Sequence, residues 1–78
     1  MRRIAACKLF IAGKNEPLGR HIVEIAGEEG RMVNHFPLGE ELPMTEWLGG
    51  TIEIVEGGAY HSKNVSTHNR ELLIEPED

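Results

Sequence analysis

Two glycine-framed turns constrain this chain more than anything else in it. Gly27-Glu28-Glu29-Gly30 falls between Arg20–Ala26 and Arg31–Phe36, and Gly57-Gly58 falls between Thr51–Glu56 and Ala59–His61. Tight turns between short runs with apolar residues at every second position are the signature of β-hairpins. In the first hairpin Val23 and Ile25 share a face and Glu24 takes the other. In the second, Ile52 and Ile54 point one way and Thr51 and Glu53 the other. A helix would bring apolar residues back every three or four positions, and these runs do not.

The rest of the chain extends the pattern. From Arg3 to Ala12 one alternating face is nearly all apolar and the other mostly so, which predicts one long strand covered on both sides for part of its length. Residues 13–19 hold two glycines and a proline and read as a loop. Glu40 to Leu48 reads as one or two helical turns. Acids at its start favour a helix N-terminus, and Met44, Trp47 and Leu48 fall at i, i+3, i+4; Gly49-Gly50 then stops it. Ser62 to Asn69 is polar and reads as a loop, and Glu71–Ile74 as a last short strand. The expected fold is mainly β: a small antiparallel sheet or half-open barrel of about six strands, with one short helix between two hairpins. At 78 residues the chain has room for a single domain, 1–78, with 75–78 as a loose tail.

Charge and composition narrow the function classes. The net charge is −5, so a nucleic-acid backbone is a poor partner. The charge is unevenly placed: Arg2, Arg3, Lys8, Lys14 and Arg20 face only Glu16 in the first twenty residues, whereas the next forty hold eight glutamates and only Arg31. Such an arrangement predicts opposite charges paired across neighbouring strands. No membrane span is expected, because the longest stretch free of Asp, Glu, Lys and Arg is Met32 to Gly39, far short of the roughly 20 residues a helix needs. The start resembles a lipoprotein signal, but only Ile4, Ala5 and Ala6 separate the arginines from Cys7, too few for an apolar signal stretch. The single cysteine excludes an intramolecular disulfide and points to a reducing, cytoplasmic setting. Asn64-Val65-Ser66 matches a glycosylation pattern that has no meaning there.

No residue group spells out a reaction. The closest histidine pair in sequence, His61 and His68, is spaced more widely than the ligand pairs of common zinc sites, and no second cysteine exists. His35 is expected on a face with Arg31 and Val33, opposite Met32 and Phe36. Cys7 is expected as a buried small hydrophobe between Ala5 and Leu9. The glutamates read as solvated surface charges. No metal ligand, catalytic residue or cofactor is therefore assigned. Trp47 is the only tryptophan in a chain with few aromatics. The favoured reading makes it a plug closing one end of the sheet; the other presents Trp47 and Met44 outward to a partner.

The run from Pro37 to Ile52, above all Thr45-Glu46-Trp47-Leu48-Gly49-Gly50-Thr51-Ile52, resembles a stretch found in small bacterial proteins of about this length that carry no assigned activity. The resemblance implies a free-standing bacterial cytoplasmic domain and transfers no role to any residue. The expected function is a small non-enzymatic interaction module that works through a homo-oligomer or a protein partner. The alternative is a small-ligand or metal-binding protein with a pocket near Trp47, Tyr60 and the histidines. Trp47, Met44, Tyr60 and His35 are the candidate binding residues.

Overall fold

The computed structural model describes residues 1–14, 16–39, 43–63 and 70–75. Eight strands follow in chain order: β1 Arg2–Ala6, β2 Lys8–Ile11, β3 His21–Ala26, β4 Arg31–Pro37, β5 Thr45–Trp47, β6 Thr51–Val55, β7 Gly58–Ser62 and β8 Glu71–Leu72. They form one open mixed sheet in the order β2-β6-β7-β4-β3-β1-β5, with β8 added to β7. Both hairpins read from the glycine turns are present, as β3–β4 and β6–β7. The fold is mainly β, but three expectations need correction.

The first concerns strand direction and number. The described residues form eight strands rather than about six, and β1–β5 and β2–β6 are parallel. The second is the helix expected over 40–48. Residues 40–42 lie outside the described residues, and 43–48 form a turn followed by strand β5. Met44 stands at φ 61°, outside helical space, and Thr45–Trp47 pair with Arg3–Ala5. The periodic apolar residues thus reflect a strand edge that the local pattern cannot distinguish from a helical turn.

The third correction is the long first strand, which bends at Cys7. The N–H groups of Cys7 and Lys8 both donate to Gly50 O, at 3.0 and 3.2 Å. The ladder registers 4↔46 before the bend and 9↔52 after it, so the inward set switches from Ile4 and Ala6 to Leu9 and Ile11. Cys7, Lys8 and Phe10 are exposed as a result. Cys7 is therefore not a buried hydrophobe, because the bend turns it out between the two inward sets.

This bend also shapes the molecule. β1 and β2 are one chain segment, yet β1 pairs with β3 and β2 with β6. The sheet must curl to serve both. Ile4, Ala6, Val23 and Ile25 consequently pack in one core with Leu9, Ile52, Ile54 and Ala59. The sheet does not seal fully between β4 and β7, whose strand pairing is confined to Arg31↔Gly58.

The C-terminal segment closes that side. Leu73 N–H donates to Ala59 O at 2.8 Å, and the Leu73 side chain joins the core. Glu75 N–H reaches Gly27 O at 3.0 Å, Gly27 N–H reaches Glu75 Oε1 at 3.1 Å, and Glu75 pairs with the N-terminal ammonium. Glu75 is thus tied into the fold and not part of a loose tail. Residues 76–78 lie outside the described residues, as do 64–69 of the expected polar loop. The end-plug is Leu73, in a position that leaves Trp47 free to face outward.

Two of the five cations of the basic start are paired across strands as the charge pattern predicts. Arg3 Nε donates to Glu24 at 2.7 Å from the neighbouring strand, and Arg2 Nε to Glu46 at 2.6 Å. Cross-strand pairing, rather than an anion-binding arm, accounts for these two arginines.

Candidate functional site

Strand β3 is buried on both faces from His21 to Ile25, so the sheet here has two working surfaces. On the outer one the register sets Trp47, Ala5, Ile22 and Phe36 in a row across β5, β1, β3 and β4. Ala5 and Ile22 are fully buried yet stand apart from the main core. Trp47 and Phe36 end the row on either side. Trp47 remains 54% exposed and Met44, just before β5, 88% exposed. The Arg20 guanidinium lies 5.9 Å from the Trp47 ring, within cation–π range.

Beside the apolar row runs a polar one: Thr45, Arg3, Glu24 and Asn34. Glu24 is buried and held by Arg3 at 2.7 Å and Asn34 Nδ2 at 3.4 Å. Thr45 Oγ1 is buried and makes no hydrogen bond. The Leu48 N–H donates to Ala5 O. Strand alternation then directs the backbone N–H and C=O of Thr45 and Trp47 to the opposite edge, where no described strand pairs with them. A hollow of about 750 Å³ opens beside this edge, lined by Met1, Arg2, Arg3, Met44 and Ile74 among others. Its cations are already paired with Glu46, Glu24 and Glu75.

On the inner surface, at the same end, His21 and His35 approach with ring centroids 5.5 Å apart and planes tilted by 41°. His21 is buried, and its Nδ1 lies 3.3 Å from Gly19 O. A carbonyl only accepts, so in this contact Nδ1 carries the proton and the neutral ring keeps its lone pair on Nε2. His35 Nδ1 is buried with no partner. Burial, then the His21 ring, then the Lys14 charge push the His35 pKa below its ordinary value of 6.5.

His35 does not share a face with Arg31, nor does it stand opposite Met32. The β3–β4 register slips between Glu24 and Ile25, so Val33 is bulged out, and His35 joins Met32 on the side of Val23 and Ile25. One extra residue reverses every side chain beyond it.

The four candidate residues therefore divide. Met44 and Trp47 flank the β5 edge, and His35 lies on the inner face. Tyr60 is on β7, under the Arg70 guanidinium at 5.4 Å, in a separate hollow with Glu29, Arg31 and Val55. The hollow beside β5 does not include Tyr60, and the hollow at Tyr60 does not include Trp47. The sequence reading missed the His21–His35 approach, the outward Cys7 and the Arg20–Trp47 stack. Among the described residues no group of three or more His, Cys, Asp or Glu is placed to hold a metal, and no helix is long and apolar enough to cross a membrane. Comparison of the chain with family models, with curated proteins and with solved structures finds no match.

Proposed function

We propose that the chain is a small non-enzymatic interaction module that docks a protein, either a second copy or a different chain, through the β5 edge. The observation that carries this reading is the exposure of Trp47 on a strand edge that no other described strand pairs with. Tryptophan is costly to leave in water and is enriched at the centres of protein interfaces. An unpaired edge supplies main-chain hydrogen bonds to an added strand, while Trp47 and Met44 supply apolar contact. The Arg20 guanidinium lies within cation–π range of the indole.

Photocrosslinking tests it. A benzophenone amino acid replaces Trp47 in one variant and Glu56, exposed in the β6–β7 turn, in another. Both are expressed in the native cell. A discrete adduct from position 47, absent from position 56, is expected. Its mass tells a second copy from another protein. No adduct at 47 above the level at 56 contradicts the proposal.

A further inference from the structure

We propose that His21 and His35 form a two-imidazole site for a divalent transition metal, with zinc as the simplest case and water in the remaining positions. The site is separate from the β5 edge and lies on the other face of the sheet.

Geometry is the first support. Two imidazoles sharing one tetrahedral ion, with metal–nitrogen distances near 2.0–2.1 Å, hold their ring centres about 5 Å apart. The two rings stand at 5.5 Å, tilted rather than stacked. That separation suits one shared ion once a nitrogen of each ring is turned toward it.

The tautomer is the second. Metal-bound histidines almost always donate their other ring N–H to a carbonyl or carboxylate, which fixes the ring and raises its basicity. His21 already does this through Nδ1 to Gly19 O, leaving Nε2 as the available donor atom. Nothing about that arrangement needs to change on binding.

The third support is an unmet need. His35 Nδ1 is buried without a hydrogen-bond partner, and such a group costs free energy until something satisfies it. A metal bound at Nδ1 itself would take up its lone pair and offset that cost. The Lys14 charge acts on His35 and opposes a cation, which sets the site among weak rather than structural ones. His61 does not join it, because its Nε2 is engaged by Gly49 O at 3.1 Å.

The test is a titration of the whole chain with zinc chloride, followed by calorimetry and by NMR of the histidine ring nitrogens. Saturable one-to-one binding is expected, with the ring signals of His21 and His35 shifting together. His21→Gln and His35→Gln are each expected to weaken binding about tenfold or more. The proposal is overturned by absence of saturable binding, or by shifts confined to other histidines. Unchanged affinity in folded variants overturns it equally. If either variant fails to fold, the ring signals of the unmodified chain decide alone.

Discussion

Gly30 is where the last described segment meets the first hairpin. A methyl group added there would overlap the Leu73 carbonyl and press on the Leu72 side chain, and Gly30 sits at φ 62°. Gly27, in the same turn at φ 78°, has open space around its would-be Cβ. The two positions therefore separate backbone strain from steric eviction. Alanine in the left-handed region costs about 1–2 kcal/mol at either site. At Gly30 the Leu73 backbone must also move, and Leu73 is a buried core residue bonded to Ala59. Withdrawing a buried leucine costs about 2–5 kcal/mol. A domain of this size has roughly 3–5 kcal/mol in all, so Gly30→Ala should be largely unfolded at 25 °C while Gly27→Ala remains folded. Urea denaturation followed by circular dichroism measures both. Leu73→Ala should cost about 2–4 kcal/mol, and the double variant Gly30→Ala/Leu73→Ala less than the sum of the two, because both remove the same docking. Equal midpoints for Gly30→Ala and Gly27→Ala would refute the idea that this segment closes the core.

Other expectations follow from the same structure. Arg3→Ala removes the 2.7 Å partner of buried Glu24 and leaves it Asn34 at 3.4 Å; because Arg3 is itself part-exposed, the loss should be about 1–2 kcal/mol, partly restored by Glu24→Gln, as urea midpoints would show. His35 is harder to protonate when folded than when unfolded, so stability should fall as pH drops below the ordinary 6.5. Glu75 is held below its ordinary 4.5 chiefly by its bond to the N-terminal ammonium, so its contribution, present above 4.5, is lost at still lower pH. Both shifts predict loss in acid; a flat midpoint between about pH 7.5 and 5 would contradict the His35 part. Exposed Cys7 should react with a thiol reagent in the folded chain nearly as fast as in urea.

How much of this was legible in the sequence depended on whether a feature is local. Val23, Ile25, Ile52 and Ile54 announced their strands because alternation and glycine turns act over a few residues. The Arg3–Glu24 pairing was legible only in general form, as opposite charges on separate strands; the register that sets them side by side was not. The bend at Cys7 was hidden because it exists to let one segment pair with β3 and then with β6, a requirement set far away in sequence. The β5 strand was hidden for the same reason: Thr45–Trp47 is extended by pairing with Arg3–Ala5, while its own apolar spacing suits a helix. His21 and His35 lie on adjacent strands, so a search by sequence spacing passes over them. Their faces could not be set without the bulge at Val33.

The central claim is that β5 presents Trp47 to a partner rather than to the core. The chain has one tryptophan, so its emission reports this position alone. At a concentration where sedimentation shows a single copy, the emission should be red-shifted and acrylamide quenching substantial, though below that of free indole, because Trp47 is 54% exposed. It should become protected when a crosslinked or associated partner is present. A blue-shifted, weakly quenched Trp47 in the lone chain would contradict the account.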